Sequence, residues 1–301
     1  MSTPDLPVPP VTIEDAVPEA RGRRFGRLSS TTLIGAIGLI IVVTLVLVAV
    51  FAPLLAPYDP TERVGRPFST PSPEHPLGTN DIGQDLLSEL IYGTRVSLTV
   101  GLVAATVALL IGTTVGILAG FYPRFLGSVL MRVVDVVLIL PFLPLLIILA
   151  AYLGRSLLNT VLVIGILIWT GSARVIRSQV LSLTQRDYVV AARSMGASDL
   201  HIIVKHVLPL TLLLAIGEFV QATAGAILLE ASLSFLGLGD PLQKSWGAIL
   251  YWAQVRGAFL TPAWQWWVLP PGLMIMAAAL GFALIGFALE QRVNPRLRQA
   301  R

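Results

Sequence analysis

The sequence predicts an all-α membrane protein with six transmembrane helices and both termini in the cytoplasm. Three observations carry this expectation. Of the 301 residues, 55% are hydrophobic and 13% charged, about half the charged share of an ordinary soluble domain. The apolar residues collect in runs close to the ~20 that cross a ~30 Å hydrocarbon core at 1.5 Å per residue. The basic residues lie in the gaps between those runs and favour one side.

Residues 1–30 combine Pro4, Pro7, Pro9, Pro10 and Pro18 with charge and no periodicity, the composition of a disordered cytoplasmic tail. Arg21, Arg23, Arg24 and Arg27 then precede a first span at about 33–55. A secretory signal has the same order, but this core is too long and no A-x-A site follows. Further spans are expected at about 96–121, 130–153, 157–176, 210–236 and 268–288, giving a transmembrane domain over 31–301. Pro141 and Pro144 are expected to kink the third. Residues 56–95 and 237–267 are the long loops. The second holds Trp246, Trp252, Trp264, Trp266 and Trp267, which read equally as an interfacial belt or as a partner surface.

Orientation follows from the basic residues. With the N-terminus inside, the cytoplasmic segments hold Arg21, Arg23, Arg24, Arg27, Arg124, Arg132, Arg174, Arg177, Arg186, Arg193, Lys205, Arg292, Arg296, Arg298 and Arg301, which is 15 of the 21. The outside holds Arg63, Arg66, Arg95, Arg155, Lys244 and Arg256.

Several function classes drop out. There are no cysteines, which removes thiolate nucleophiles and Cys-ligated metals. His75, His201 and His206 show no ligand spacing, so no metal site is expected and all three read as surface histidines. The basic residues form no stripe interleaved with aromatics, so no nucleic-acid partner is expected. No H-E-x-x-H or G-x-S-x-G occurs, and no catalytic residue is assigned. Lys205 and Lys244 are the only lysines and neither follows a glycine, so the chain has no G-x-x-x-x-G-K-[ST] loop for ATP.

The segment 178–209, between spans four and five, interrupts the apolar pattern with DYVVAARSMGASDLHIIVKHVLP. Thr184 and Asp187 have capping-box spacing, which predicts a helix starting near Thr184. Tyr188, Ala192 and Met195 then share a face flanked by Val189 and Ala191, with Arg193 towards the other side. Gly196 suits a left-handed helix end, Ser198 a cap for the next helix, and Pro209 the entry to span five. Physics alone leaves two readings: a helix offered to a partner's groove, or an amphipathic helix on the bilayer surface.

The pattern Val190-Ala191-Ala192-x-x-x-Gly196, followed after nine residues by His206-Val207-Leu208-Pro209, resembles the EAA loop of ABC-importer permeases. Val190 replaces the family's Glu and His206 its Ile. Four more blocks resemble the C-type subunit of the dipeptide/oligopeptide/nickel group: HPLGTNDIGQDLLSELIYGTRVSL (His75–Leu98), MRVVDVVLILPFL (Met131–Leu143), ILLEASLSFLGLGDPLQKSWGAIL (Ile227–Leu250) and NPRLR (Asn294–Arg298). The resemblance implies a type I importer permease in the bacterial cytoplasmic (inner) membrane, moving di- or oligopeptides by alternating access. It implies an ATPase-coupling helix carrying Asp187, Tyr188, Ala191, Ala192, Arg193, Met195, Gly196, His206 and Pro209. It also implies a second homologous permease, two ATPase domains that bind ATP and Mg, and an extracytoplasmic solute-binding protein; besides lipid, those are the expected partners.

Intramembrane polar residues are costly, so each is a candidate for function or for a buried contact. Glu218, Gln221 and Thr223 are the expected lining of a translocation path, with Glu230 either joining them or shaping the outer loop. Arg132 and Asp135, at i,i+3, are expected to form a structural pair. An ion-coupled transporter using Asp135 and Glu218 as proton sites is the rival class, weakened by the lack of a visible inverted repeat. Nickel or another small solute is the rival cargo.

Overall fold

The computed structural model describes residues 30–293, and among them the chain is helical apart from its loops and one isolated bridge, Thr79 with Asp85. The expected tail, the NPRLR block and the basic residues at either end of the chain lie outside the described residues. Helix α1 (Ser30–Val50) is apolar all round and leads into a short α2 (Ala52–Leu55). Its exposed Leu39, Ile40 and Val50 suit hydrocarbon as solvent. Among the described residues five helices are long and apolar enough to cross a membrane, and a bent pair makes a sixth if it counts as one span.

Helix α3 (Leu86–Phe121) begins ten residues before the expected start of span two. Ser88, Glu89 and Arg95 are too polar for a hydropathy window, yet Asp85 caps the helix by accepting from the Ser88 amide at 2.8 Å. Against α3 lies α6 (Leu157–Thr184), eight residues longer than expected. Gly112, Gly116 and Gly120 let the two approach: a β-carbon on Gly116 would sit 2.8 Å from the Ala173 carbonyl oxygen, and one on Gly120 2.7 Å from Val180 Cβ.

The third expected span is two helices, α4 (Phe125–Ile139) and α5 (Phe142–Leu153), bent by 89° at Leu140–Pro141. Proline forces the preceding Leu140 out of the helical region, to φ −66°, ψ 137°. Pro144 causes no break, because it falls in the first turn of α5, where its missing N–H has no partner to lose.

After α6 the chain makes α7 (Asp187–Ser194) and α8 (Asp199–Ile202), then a π turn (Ile203–Val207) that runs into α9 (Leu208–Phe235). Pro209 has no N–H for the Lys205 carbonyl, and the turn before it widens. The same device, Trp264–Val268 before Pro270 and Pro271, opens α11 (Leu269–Val293), which pairs with α1. At the opposite end from α7, α10 (Trp246–Val255) lies within the loop expected over 237–267.

That end is tightly built, and it corrects two expectations. Trp246 and Trp267 are fully buried rather than interfacial. Trp246 Nε1 donates to the Leu90 carbonyl at 3.3 Å, while Trp252 and Trp264 remain exposed. His75 is buried too, with Nδ1 3.0 Å from Asp85 Oδ1. Lys244 Nζ reaches Glu89 Oε1 at 2.6 Å and Gln84 Oε1 at 2.7 Å. Arg256 Nε meets Asp81 at 2.7 Å. These bonds pin the 56–85 loop to the loop after α9.

Candidate functional site

The first candidate is the α7 segment. Its helix does not start at Thr184: α6 continues through that residue, whose hydroxyl donates to the Leu181 carbonyl at 2.9 Å. Arg186, in extended backbone, is the residue before α7, and no side chain caps it. Asp187 then opens the first turn, where a carboxylate suits the helix dipole.

The inner face of α7 is Val189 and Ala192, both buried against Ile117, Phe121, Ile176, Val180, Leu183, Ile202 and Val207. The helix is therefore bolted to the ends of α3, α6 and α9. This splits the expected apolar face. Ala192 points inward, whereas Tyr188, Ala191 and Met195, at i, i+3 and i+7, are exposed. Val190, Leu200 and Val204 add to the exposed apolar surface. Met195, at 81% accessibility, has no neighbour to justify an apolar side chain in water.

Gly196 takes φ +83°. The Ala197 amide donates to the Ala192 carbonyl at 3.1 Å and the Gly196 amide to the Arg193 carbonyl at 3.0 Å, a Schellman ending. A β-carbon at Gly196 would meet nothing within 4 Å, so the glycine answers to backbone conformation alone. Ser198 caps α8 by accepting from the His201 amide, as expected. The Arg193 guanidinium lies 5.3 Å from the Phe121 ring centroid and the Tyr188 ring 6.0 Å from His206. Tyr122, in the turn after α3, is held above the usual phenol range by burial first and then by the Asp199 carboxylate.

The second candidate is the set of intramembrane polar groups. Glu218 and Gln221 share a cavity of about 460 Å³ between α6, α9 and α11 with Gln179 and Glu290. The Ser172 hydroxyl donates to Glu218 Oε2 at 3.1 Å. Thr223 is not with them: it is fully buried and donates to its own helix at Phe219. Glu230 also lies apart, buried beneath α10, accepting from Ser97 at 3.0 Å and Ser234 at 2.7 Å. The Ser97 hydroxyl also accepts from the Trp246 amide at 3.3 Å, which ties the Glu230 carboxylate to the start of α10.

The pair expected between Arg132 and Asp135 is replaced. Asp135 Oδ1 meets Arg174 Nη2 at 2.6 Å, joining α4 to α6. Arg174 comes from 39 residues away, a distance at which no local spacing rule speaks. The residues that sequence reasoning passed over are Asn80, Gln84, Glu89 and Lys244. For the first three the one signal was the polar stretch TNDIGQDLLSE set directly before an apolar run; Lys244 had none.

Residues 112–299 match the family described as "Binding-protein-dependent transport system inner membrane component". Residues 34–75 match the "N-terminal TM domain of oligopeptide transport permease C". Among curated relatives, the dipeptide transport system permease protein DppC of Alkalihalophilus pseudofirmus is 40% identical over 268 residues, covering 87% of this chain and 86% of the relative. The di/tripeptide transport system permease protein DppC of Pseudomonas aeruginosa is 38% identical, over 87% and 88%. The glutathione transport system permease protein GsiD of Pectobacterium atrosepticum is 35% identical, over 85% of each.

Proposed function

The chain belongs to the binding-protein-dependent transport system inner membrane components and is a multi-pass protein of the bacterial inner membrane, and on that premise we propose that it carries di- or oligopeptides into the cytoplasm. Subunits of this family are normally non-catalytic and work with an ATPase and a substrate-binding protein. In our reading the complex has a second homologous permease, two ATPase domains holding ATP and Mg, and an extracytoplasmic binding protein. The α7 end faces the cytoplasm, and the α10 end faces the binding protein.

The observation that carries this reading is the construction of α7. Its inner face, Val189 and Ala192, is fixed to three transmembrane helices. Its outer face, Tyr188, Ala191 and Met195, is apolar and exposed. A helix so mounted moves the transmembrane helices when a partner moves it. Asp187, Arg193, His206 and Pro209 flank the contact or set its angle, and Gly196 ends it. Glu218 and Gln221 line the path towards this end. The cargo follows the relatives, whose names specify dipeptides, di/tripeptides and glutathione.

The test is uptake into proteoliposomes holding both permeases and the ATPases, with the binding protein outside. Labelled dipeptide should accumulate only with ATP inside. Accumulation driven by a proton gradient without the ATPases would overturn the reading in favour of an ion-coupled transporter.

A further inference from the structure

A cleft of about 300 Å³ opens at the α10 end, between the first turns of α3, the start of α6 and the loop before α10. Its polar lining is Thr61, Tyr92, Arg95, Thr99, Gln243 and Lys244, and Leu157 and Leu242 are apolar walls. Two facts make its charge unusual. Lys244 is already committed to Glu89 and Gln84. Arg95 is exposed, and among the described residues no carboxylate lies within ion-pair distance of it. No acidic side chain is among the residues lining the cleft; Asp240, an acid beside its walls, is occupied in accepting from the Leu157 amide at 3.1 Å and the Leu242 amide at 2.9 Å. Arg95 and Thr99 are one turn apart on the same face of α3, so their donors converge.

An exposed guanidinium with no carboxylate partner among the described residues is free to take an anion from outside the chain. A structural ion pair would have supplied one from the protein. We propose that this cleft is an anion subsite whose occupant is the C-terminal carboxylate of the peptide cargo, held by Arg95 with Thr99 and Tyr92 as auxiliary donors. The planar fork of arginine matches a carboxylate through two parallel hydrogen bonds. The volume is at the small end of the range for ligand sites, enough for a terminal residue rather than a long chain. The apolar walls accept a side chain of varied shape, as a carrier for many peptides requires. This inference rests on the peptide reading above.

The experiment uses the complete complex in proteoliposomes with saturating binding protein. It compares import of a dipeptide carrying a free C-terminus with import of the same dipeptide as its C-terminal amide. The binding protein's own preference is common to wild type and variant, so the change in the ratio of the two rates isolates the subsite. Arg95→Gln should cut import of the free acid on the order of tenfold, the loss of one charge-assisted contact, and leave the amide unchanged. Arg95→Lys should restore part of the difference. The amide rate also verifies that the variant is folded. Equal loss for both peptides would mean that Arg95 anchors a lipid phosphate or the fold, and would overturn the proposal, as would no loss for either. If the wild-type complex imports neither peptide, it is the cargo reading that fails, and the subsite falls with it.

Discussion

Replacing Gly196 by asparagine, alanine and valine should loosen α7 in that order. The glycine sits at φ +83° with open space where a β-carbon would be, so the penalty is conformational and not steric. For an ordinary L-residue in the left-handed region that is ~1–2 kcal/mol; it is smaller for asparagine and larger for a β-branched residue. The attachment it works against is small. Burying Val189 contributes roughly 1.5–3 kcal/mol and the Ala192 methyl about 0.8 kcal/mol. A loss of 1–2 kcal/mol from that total is a factor of roughly 5–30 in the docking equilibrium. Hydrogen exchange of the α7 amides reads this equilibrium directly, and Gly196→Ala should speed it by about that factor without changing exchange in α3 or α6. Peptide imported per ATP hydrolysed should fall in the same order, with insertion into the membrane intact. Full coupling in Gly196→Val would refute the role of α7 as a lever. Asparagine as harmful as valine would refute the conformational account.

Cysteines at Tyr188 or Met195 should crosslink to an ATPase subunit in the assembled complex, while a cysteine at the buried Val189 should not; crosslinking from Val189 alone would show that the helix is turned over. A membrane-impermeant maleimide should label Glu74→Cys from outside intact cells and Ser194→Cys only after permeabilisation, and labelling of both from one side would break the proposed orientation. Glu230→Ala strands the Ser97 and Ser234 hydroxyls and should destabilise the detergent-solubilised protein by ~1–3 kcal/mol, seen as a lower Tm. Glu230→Gln, which keeps an acceptor, should lose much less, and equal losses would place the role in the charge. For Asp135 and Arg174, either Asp135→Arg or Arg174→Asp should impair folding or transport and the double exchange should recover it; no recovery would mean that the 2.6 Å contact is incidental.

The transmembrane plan was legible because hydropathy depends on local composition, and a bilayer needs runs of fixed length. It failed where helix and apolar run part company. The first ten residues of α3 are helical but polar, since Glu89 is satisfied by Lys244 from 155 residues away. The last eight of α6 carry Arg177, Gln179 and Thr184 beyond the apolar stretch. Thr184 shows the limit of a motif: a capping-box spacing was present, but an α6 already packed on α3 extended through it. Pro141 broke its helix and Pro144 did not, which is decided by position within a turn and not by the residue itself.

The helix at 187–194 was legible as a helix but not in phase. On a short helix with apolar residues on both sides, periodicity cannot say which side is inside, because Val189 with Ala192 and Tyr188 with Met195 are equally good stripes. The core decides it: Ile117, Val180 and Val207 come from three separate helices and meet only once the bundle has formed. The same holds for charge. Asp135 had a basic residue at i−3, the nearest by sequence, yet it pairs with Arg174 across a helix boundary. Arg95, by contrast, was expected at the outer end from counting charges along the sequence, and the fold adds that among the described residues no acid comes within ion-pair distance of it. A buried charge with a distant partner explains itself once the fold is known. A charge left without one among the described residues, in an open cleft, points outside the chain for its partner, and that is why the Arg95 cleft carries an inference about substrate while Glu89 and Lys244 carry only one about architecture.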